Sequence, residues 1–393
     1  MNILIASHSY PSVMSKLAGS FVHNQARFLQ RHCSLRVVSP TPWFPLPGFG
    51  RWSVYRTLPV CDSIDGINVV RPSYCTFPRR ILFSSVWRSY ARALETEFVS
   101  KERPDVLHAH YAYPDGYAAV QLARRVDIPV VVTVHGHDLK DLAVSNRRLR
   151  NQVRDALQGA NAVIAVSEEL GERARGLGVP AERIHVIPNG ADCEQFAAQP
   201  LRKRICDEWN LLFVGRFDPA KGIGVLIAAT AELRRLGKQV RVRFVGGSAS
   251  TGKSDFFQRQ AIELGIDEFV EFDDEVPSSA MPEVMGGADL FVLPSFSEGM
   301  PTVMIEALAA GLPVVVTRCG GPTEVVNDRL GRLVEIGSVE DLCSAIADSI
   351  DQYENFDRNE IRNQAREQFD YKQIAQRIAQ VYESVVARTM ASP

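Results

Sequence analysis

Residues 297–315 read SEGMPTVMIEALAAGLPVV and are predicted to connect two buried strands through a loop and a short helix. We expect one strand to end at Leu293 and the next to run over Val314–Thr317, because both are short apolar runs bounded by turn residues. Pro301 stands where a helix begins, and residues 302–310 have the composition of that helix. The stretch therefore predicts a βαβ unit, which is the repeat of parallel sheets covered by helices.

The same alternation of short apolar runs and amphipathic segments occupies the whole chain. We predict strands in the first half at 3–6, 35–38, 67–70, 106–109, 130–134, 162–166 and 184–187. A second series is predicted at 211–214, 241–245, 269–272, 290–293, 314–317 and 332–334, followed by helices at 340–352, 359–368 and 373–386. The pattern predicts an α/β protein with two tandem doubly wound, Rossmann-like domains and a helical C-terminal tail.

Breaks in this pattern predict the domain boundaries. We expect a first domain at 1–190, a linker of little periodicity at 191–207, a second domain at 208–370, and a C-terminal helix at 371–393 that packs back toward the first domain. Residues 39–53 are rich in Pro and Gly and are predicted to form a loop. Because ligands of such sheets bind beyond the carboxyl ends of the strands, we expect the active site in a cleft between two facing domains.

The composition narrows the classes of function. The 393 residues are 46% hydrophobic and 23% charged, and their net charge of −2 provides no overall basic field for a nucleic-acid partner. The halves differ, with a net +6 in residues 1–200 and a net −8 in residues 201–393, so we expect them to meet different partners. The seven cysteines form no CxxC pair, which favours a reducing, cytoplasmic compartment.

A second strand-turn-helix junction reads VGRFDPAKG at 214–222. Arg216 follows the strand and Lys221 opens the next helix, which gives two cations suited to stabilising a diphosphate leaving group. The N-terminus of the helix after Pro301 is a further anion site. Glu298 and Glu306 would repel an anion there unless they reach past it to hydroxyl groups, which a sugar ring and a ribose supply.

These residues resemble the retaining, nucleotide-sugar-dependent glycosyltransferases of the GT-B fold, in the family marked by a Glu-x7-Glu motif (glycosyltransferase family 4, or group 1 type). The motif here is Glu298 to Glu306. LAGSFVHNQARFLQ at 17–30, VLHAHYAYPDG at 106–116 and VVTVHGHDL at 131–139 resemble the family's acceptor domain, so the likeness covers nearly the whole chain. It implies an N-terminal acceptor-binding domain and a C-terminal domain that binds the nucleotide-sugar donor.

The resemblance also implies a role for each matching residue. The resemblance assigns donor binding to Gly19, Arg216, Lys221, Glu298, Gly299, Met300, Pro301, Thr302 and Glu306. It assigns catalytic roles to His135, Arg216, Lys221 and Glu298. By this resemblance Arg216 and Lys221 hold the diphosphate. Glu306 meets the ribose, and Glu298 meets the transferred sugar. His110 lies on the acceptor side.

The implied chemistry requires neither a metal nor a cofactor besides the nucleotide sugar. Retention in this family is described as front-face displacement, in which the departing phosphate takes the acceptor proton. The first loop departs from the family pattern, since many members have a Gly-Gly pair where this chain has Ser-His-Ser-Tyr-Pro at 7–11 and a later Gly19. Gly19 is expected to let that loop approach the donor closely.

A metal site is an alternative interpretation of the histidines. His108-x-His110 and His135-x-His137 each place two rings on one face of a strand, with Asp105, Asp115 and Asp138 as further candidate ligands. The spacing of HxHxDH hydrolases is missing. We therefore predict no metal, and we expect His108 and His137 to be core residues or neighbours of the site.

The second half of the chain contains a stretch that matches the P-loop pattern, GSASTGKS at 247–254. No clear Walker-B aspartate follows it, so a P-loop ATPase is less favoured. The acidic residues 273–275 are expected to form a solvated loop beside the nucleotide base. A sugar phosphorylase or a nucleotide-sugar epimerase on the same fold is the alternative to a UDP- or GDP-sugar-dependent hexosyltransferase.

A basic and apolar surface is predicted in the first half. A helix at 79–98 carries arginines among aromatic and aliphatic residues, and residues 147–154 add further arginines. No apolar run approaches the roughly 18 residues needed to cross a bilayer, so any membrane contact is peripheral. A helix that only covers the sheet is the alternative. With a lipid-linked acceptor for cell-surface polysaccharide, this surface would place the protein at the inner face of the plasma membrane.

Overall fold

The computed structural model describes residues 1–44, 54–99, 103–201, 207–247 and 253–391. The chain forms two compact units. Unit 1 comprises Met1–Pro188 together with Tyr371–Pro393, and unit 2 comprises Asn189–Asp370.

Both units are built on mostly parallel sheets. The strands are β1 Asn2–Ala6, β2 Ser34–Val38, β3 Thr41–Trp43, β4 Cys61–Ile64, β5 Ile67–Val70, β6 Ser73–Cys75, β7 Val106–His110, β8 Val130–Val134, β9 Ala162–Ala165, β10 Ile184–Val186, β11 Trp209–Val214, β12 Val240–Gly247, β13 Val270–Asp274, β14 Leu290–Leu293, β15 Val314–Thr317 and β16 Gly331–Val334. Unit 1 has an eight-stranded sheet of order β10-β9-β8-β7-β1-β2-β5-β4, in which only the β4–β5 pair is antiparallel, and a parallel pair β3-β6. Unit 2 has a parallel sheet of order β13-β12-β11-β14-β15-β16.

Helices follow most of these strands. They are α1 Ser20–Leu29, α2 Trp87–Val99, α3 Tyr117–Val126, α4 Arg147–Gly159, α5 Glu168–Gly176, α6 Cys193–Ala197, α7 Ile223–Arg235, α8 Lys253–Glu263, α9 Met281–Gly286, α10 Thr302–Ala309, α11 Gly321–Val325, α12 Val339–Asp351, α13 Arg358–Phe369 and α14 Tyr371–Ala391. Short helical turns at Ala112–Gly116, Asp138–Leu142 and Ala143–Ser145 follow β7 and β8. No helix in the described ranges is long and apolar enough to span a membrane.

The central strands are buried on both faces, which explains why they read as unbroken apolar runs. All five residues of β7 and of β8 are buried. In unit 1, α14 packs on α1 and contributes to the same hydrophobic cluster as β1 and β2. The rings of Phe28 and Tyr371 stack with their centroids 5.4 Å apart, so the last helix completes this core.

The prediction of a helix at 79–98 is wrong for its first two turns, because α2 begins only at Trp87. Arg79, Arg80 and Leu82 have φ values of 55°, 59° and 54°, and a right-handed helix does not tolerate positive φ. Short helical turns at Pro78–Arg80 and Phe83–Ser85 occupy this part of the chain instead.

The chain after the first unit also differs from the predicted linker at 191–207. Cys193–Ala197 forms α6, whose N-terminus is capped by the Asp192 side chain accepting from the Gln195 N–H at 3.2 Å. This helix packs on α10 and α13 inside unit 2. Asp192 could have predicted the start of this helix, because aspartate is a favoured N-cap residue, but the segment is too short to show a helical periodicity.

Two further predictions fall partly outside the described residues, and a third is met only in part. Within the loop predicted at 39–53, Thr41–Trp43 forms β3, while residues 45–53 lie outside the described residues. Of the P-loop-like stretch 247–254, residues 248–252 lie outside them too. The acidic residues predicted as a loop at 273–275 begin inside β13, where the Arg243 Nε donates to Asp273 at 2.6 Å.

Candidate functional site

The donor-side candidates lie where strand order reverses in unit 2. β11 and β14 are neighbours in the sheet, although β12 and β13 separate them along the chain. Such a switch point opens a crevice at the carboxyl ends of the strands. The loops that follow β11 and β14 meet there, and the Phe296 N–H donates to the Ala220 carbonyl at 2.9 Å.

An ion pair joins these two loops at the candidate site. Lys221 Nζ donates to Glu298 Oε1 at 2.7 Å, and both side chains are largely buried. Arg216 is exposed on the same loop as Lys221 and has no ion pair in the described part of the chain. The structure therefore brings Lys221 and Glu298 together and leaves the Arg216 guanidinium available to a ligand.

Two glycines allow the loops of this crevice to pack backbone against backbone. A Cβ at Gly222, whose φ is 72°, would lie 1.9 Å from the Pro294 carbonyl oxygen. A Cβ at Gly321 would lie 2.0 Å from the carbonyl oxygen of Gly299, which accepts from the Gly321 N–H at 2.9 Å. The sequence reasoning missed both glycines, although the AKG turn was inside a motif it had singled out.

The backbone before α10 is held rigidly. Gly299, Met300 and Pro301 are buried, and the Met300 carbonyl accepts from Asn189 Nδ2 at 2.8 Å. Pro301 is the N-cap and Thr302 is the first helical residue. The first N–H groups of a helix have no partner inside it, so this fixed segment presents donors suited to an anion.

Glu306 lies one turn into α10. Part of its surface stays accessible, but the surrounding protein removes enough water from the carboxyl to raise its pKa to about 8. A carboxylic acid both donates and accepts hydrogen bonds, and the hydroxyls of a ribose can pair with it in either role. Protonation of Glu306 and pairing of Glu298 with Lys221 together relieve the repulsion that two free carboxylates would exert on a phosphate.

The remaining candidates lie in unit 1, which has its own switch point between β1 and β7. Gly19 precedes α1 with a φ of 64°, and a Cβ there would lie 2.0 Å from the Ser9 carbonyl oxygen. The absence of a side chain at Gly19 is therefore required by packing against the loop after β1.

A row of three histidines crosses β7 and β8. His108 hydrogen-bonds the Tyr382 hydroxyl through Nδ1 and the Thr133 hydroxyl through Nε2, both at 2.7 Å. His110 Nδ1 lies 3.0 Å from His135 Nε2, and these two rings stack with centroids 5.3 Å apart. The structure thus brings the two predicted site histidines, His110 and His135, into direct contact.

These imidazoles are neutral. Removal from water lowers the pKa of His108 and of His135 to about 3, and it lowers the pKa of His110 well below its ordinary value. His110 Nε2 and His135 Nδ1 are buried atoms with no hydrogen-bond partner among the described residues. The ring of His135 also contacts those of Phe21 and Tyr111, which fix its orientation.

Two buried aspartates organise the loops around this row, a role that sequence reasoning missed. Asp115 accepts from the His8 backbone N–H and contacts the His8 ring, both at 2.6 Å, and it accepts from the Tyr90 hydroxyl at 2.5 Å. Burial opposes protonation of His8, but the Asp115 carboxylate outweighs it, so the pKa of His8 is raised. Asp138 accepts from the backbone N–H groups of Ala112 and Gly136, both at 3.0 Å.

The alternative metal site gains no support from this arrangement. In the described ranges, no group of three His, Cys, Asp or Glu side chains could hold a metal ion. His137 is not a core residue, because its side chain is exposed and pairs with Asp141 at 2.7 Å, whereas its place beside the site stays a prediction. After β8 the Asp138 side chain is buried while that of His137 is exposed, and the HGHD pattern does not specify which of them is buried.

Comparison with known families covers both units. Residues 202–368 match the model described as glycosyl transferases group 1, and residues 18–195 match the model described as Glycosyltransferase Family 4. TuaC of Bacillus subtilis (strain 168), which is named as a teichuronic acid biosynthesis glycosyltransferase, is 32% identical over 369 residues, or 90% of each chain. The D-inositol 3-phosphate glycosyltransferase of Nocardia farcinica (strain IFM 10152) is 31% identical over 305 residues, covering 71% of this chain and 67% of that protein.

Solved structures show the same fold. Sucrose-phosphate synthase from Thermosynechococcus elongatus superposes with a TM-score of 0.77 at 20% identity, covering 99% of this chain and 100% of that one. Anabaena HepE in complex with UDP-glucose superposes with a TM-score of 0.72 at 20% identity, covering 98% and 100%. The GT-B fold, with two Rossmann-like units and a C-terminal helix, is thereby confirmed.

Proposed function

Because the chain belongs to the group 1 glycosyltransferases of family 4, we propose that it transfers a sugar from a UDP- or GDP-linked donor to a lipid-linked glycan. We place this reaction in cell-surface polysaccharide biosynthesis, in keeping with the name of its relative TuaC. A reducing, cytoplasmic compartment is part of the proposal and agrees with the six free cysteines among the described residues.

The observation that carries the donor assignment is the Lys221–Glu298 ion pair at the β11–β14 switch point. The pair places the Lys221 ammonium beside the Glu298 carboxylate, which can accept from hydroxyls, next to the N-terminus of α10 and to the exposed Arg216. A nucleotide sugar has the matching order of groups, with a diphosphate between two rings that carry hydroxyls. On binding, Lys221 turns to the diphosphate and Glu298 accepts from hydroxyls of the sugar.

The proposed reaction proceeds with retention of configuration. The bond from the anomeric carbon to the diphosphate oxygen breaks, and the acceptor oxygen forms its bond on the same face. The acceptor proton passes to the departing phosphate. Arg216, Lys221 and the N–H groups at the start of α10 stabilise the negative charge on the leaving group.

His135 and His110 are assigned to positioning and to the acceptor side. His135 is neutral and is held between aromatic rings, so it can hydrogen-bond a sugar hydroxyl without adding charge. Its contact with His110 makes the two imidazoles one unit. We therefore expect His110→Ala to impair transfer partly by loosening His135, with a larger effect on turnover than on nucleotide binding.

Titration calorimetry with UDP and GDP tests the donor assignment. We expect one nucleotide to bind the unaltered protein, and we expect Arg216→Ala and Lys221→Ala each to weaken that binding at least about tenfold, as loss of a charge-assisted contact predicts. Arg241→Ala is the matched control, since Arg241 is a cation on neighbouring β12 that pairs with Glu208. Failure of both nucleotides to bind would reject the transferase proposal and favour a phosphorylase.

Donor turnover separates transfer from binding. A panel of UDP- and GDP-sugars should identify the donor by its slow hydrolysis. With that donor, Glu298→Gln should retain nucleotide binding while losing most turnover, because it keeps the shape but not the charge paired with Lys221. Undiminished turnover would exclude Glu298 from the site, and epimerised donor as the product would favour an epimerase.

Metal removal tests the assigned roles of the cations and the helix. If Arg216, Lys221 and α10 stabilise the leaving group, turnover should be the same before and after treatment with EDTA. Turnover that is lost with EDTA and restored by Mg²⁺ or Mn²⁺ would contradict a metal-independent mechanism.

A further inference from the structure

A histidine and an aspartate connect the two loops at the switch point of unit 1. His8 follows β1, and Asp115 lies in the short helical turn that follows β7, the neighbouring strand in the sheet. His8 Nδ1 lies 2.6 Å from one Asp115 carboxylate oxygen, and the His8 backbone N–H donates to the other oxygen at 2.6 Å. Because ligands of such sheets bind at a switch point, the pair lies where a ligand of unit 1 is expected.

The Asp115 carboxylate requires a positive partner. It is fully buried, and it also accepts from the Tyr90 hydroxyl at 2.5 Å. Burial raises the pKa of Tyr90 well above its ordinary value, so this hydroxyl stays a donor. Across the described ranges no Lys or Arg side chain forms an ion pair with Asp115, whereas His8 does. A buried carboxylate without a cation is costly, which favours the protonated, positively charged imidazole of His8.

The other titratable groups near His8 allow it to carry this charge. Burial lowers the pKa of His8, but the charge and the hydrogen bond of Asp115 raise it by more, and the charge of Asp138 adds to the rise. His135 stays neutral, because burial, and then the charges of His108 and His8, lower its pKa to about 3. His8 therefore keeps its proton to a higher pH than an ordinary histidine does.

The His8 ring is held in place and is still accessible. It lies against the Tyr111 ring, with centroids 4.8 Å apart, and the same Tyr111 ring meets that of His135 at 4.9 Å. The Tyr111 backbone is itself fixed, since its N–H donates to the Thr133 carbonyl at 2.8 Å. The His8 side chain is 36% exposed, and its Nε2 has no hydrogen-bond partner in the part of the chain that the structure describes. The Nε2–H group is thus available to a ligand in the neighbourhood of His135.

We propose that the His8–Asp115 pair binds an anionic group of the acceptor glycan, either a sugar carboxylate or a phosphate. This inference rests on the proposed function, in which the acceptor side lies in unit 1. The His8 Nε2–H donates to the anion, while Asp115 holds the ring and its proton at Nδ1. Because the anion and Asp115 lie on opposite sides of the ring, attraction to the near imidazolium exceeds repulsion by the more distant carboxylate. Asp115 is a positioning residue, and His8 selects acceptors that carry a negative charge.

NMR of the histidine rings in the full chain tests this proposal with small probes. Methyl glucuronide and methyl glucoside differ only in a carboxylate in place of a hydroxymethyl group. At about pH 6.5, we expect methyl glucuronide or glucose 6-phosphate to shift the His8 signal and to bind at least about tenfold more tightly than methyl glucoside. The tighter of the two anionic probes identifies the source as a carboxylate or a phosphate. Failure of both to shift the His8 signal, or an affinity equal to that of methyl glucoside, would overturn the proposal.

The pH dependence of this binding shows whether His8 acts as a cation. A sugar carboxylate stays ionised above about pH 5, so the affinity for methyl glucuronide should fall as the pH rises through the pKa of His8. The affinity for methyl glucoside should not change. Asp115→Asn keeps the shape but not the charge, so the NMR titration midpoint of His8 should fall in this variant. An affinity for methyl glucuronide that rises with pH, or a midpoint that Asp115→Asn leaves in place, would overturn the proposal.

Variants at His8 separate this site from the donor site. His8→Gln should lose the preference for the anionic probe and keep the calorimetric affinity for UDP or GDP. His8→Lys keeps a cation beside Asp115, so it should retain the preference but lose its pH dependence between about pH 6 and 8. His32→Gln removes an exposed histidine of the same unit and should behave as the unaltered protein.

Two outcomes distinguish the failure of this inference from that of the proposed function. A nucleotide affinity that falls in His8→Gln together with the preference would overturn the acceptor assignment and place the pair with the donor phosphates. If neither UDP nor GDP binds the unaltered protein while the anionic probe still shifts the His8 signal, the proposed function fails and the anion site stands.

Discussion

At the scale of single residues, the proposed donor site combines a carboxyl that resists ionisation, Glu306, with an ion pair between Lys221 and Glu298. Glu306 has a pKa of about 8 in the folded protein against an ordinary value of 4.5. The unfolded chain therefore loses a proton between pH 4.5 and 8 that the folded chain retains, and stability falls as the pH rises through this window. Keeping the Glu306 carboxyl neutral for a ligand therefore lowers the stability of the folded protein as the pH rises from 4.5 to 8.

Glu306→Gln tests this trade-off. The variant cannot ionise, so we expect its free energy of unfolding at pH 8 to exceed that of the unaltered protein by about 1–2 kcal/mol, a figure reduced for the solvent that reaches this residue. At pH 4.5 the two should be equal. Urea unfolding at both pH values measures the difference, and an equal gain at both would mean that ionisation is not its cause.

The buried His108 predicts the opposite pH dependence of folding stability to that of Glu306. His108 has a pKa of about 3 when folded and 6.5 as its ordinary value, so the unfolded chain gains a proton first and stability is lost as pH falls below 6.5. In His108→Gln this loss should be shallower by about 1 kcal/mol per pH unit below 6.5. Unfolding at several pH values tests it, with exposed His32→Gln as the control that keeps the original slope.

Residue types were easier to predict than residue partners. The cations and carboxylates of VGRFDPAKG and SEGMPTVMIE follow strands, which was enough to place them on one sheet edge. The Lys221–Glu298 contact depends on how the two loops cross, which is set by Gly222 against Pro294 and has no local signal. Asp115 and Asp138 were considered only as ligands beside the His-x-His pairs, because the backbone N–H groups of His8 and Ala112 that they accept from are remote in the chain.

At the scale of elements, the turn before α7 determines how closely two loops approach. Both Gly222 and Gly237 have a positive φ, which strains any alanine placed there. In Gly222→Ala the new Cβ would also lie 1.9 Å from a backbone oxygen, whereas in Gly237→Ala it would have no neighbour within 4 Å. We expect Gly237→Ala to cost about 1 kcal/mol of stability and Gly222→Ala clearly more. Thermal unfolding measures this, and nucleotide affinity should fall only in Gly222→Ala. Equal costs would show that the two loops separate easily.

Buried central strands were predicted almost to the residue, because burial on both faces produces unbroken apolar runs. β8, β14 and β15 are buried at every residue and have the predicted bounds; β5 has them too, although its Asn68 is exposed and it lies next to the sheet edge. The strands that were missed, β3, β4 and β6, are short and lie at an edge or outside the main sheet, where polar residues are tolerated. The start of α2 was misplaced because nothing in the residue types of 79–82 announces a positive φ.

At the scale of the whole molecule, the two units differ in how the chain builds them. Unit 2 is continuous in sequence, whereas the core of unit 1 needs α14. We expect a fragment of residues 189–370 to unfold cooperatively and to bind the same nucleotide as the full chain, because it contains its whole sheet and every donor candidate except Gly19. Calorimetry on the fragment checks both properties. A fragment without a melting transition would contradict the independence of unit 2.

A weaker packing of α14 should lower the stability of unit 1 and leave unit 2 unchanged. Ile378 is fully buried, and Ile378→Ala should cost about 2–5 kcal/mol in unit 1 while leaving nucleotide affinity intact. Met390→Ala is the control, since Met390 is 83% exposed on the same helix. Hydrogen exchange would localise the effect, with faster exchange expected in α1 and β1. Equal protection there in both variants would show that α14 is dispensable to the core.

The return of α14 to unit 1 also bears on how the protein emerges from the ribosome. Translation delivers about 5–20 residues per second, so residues 1–188 wait many seconds before residues 371–391 arrive. During that interval the face of α1 that will meet α14 has no cover, because residues 189–370 of unit 2 are synthesised before α14. The first half of the nascent chain should therefore expose a chaperone-binding surface on α1 until residues 371–391 have emerged.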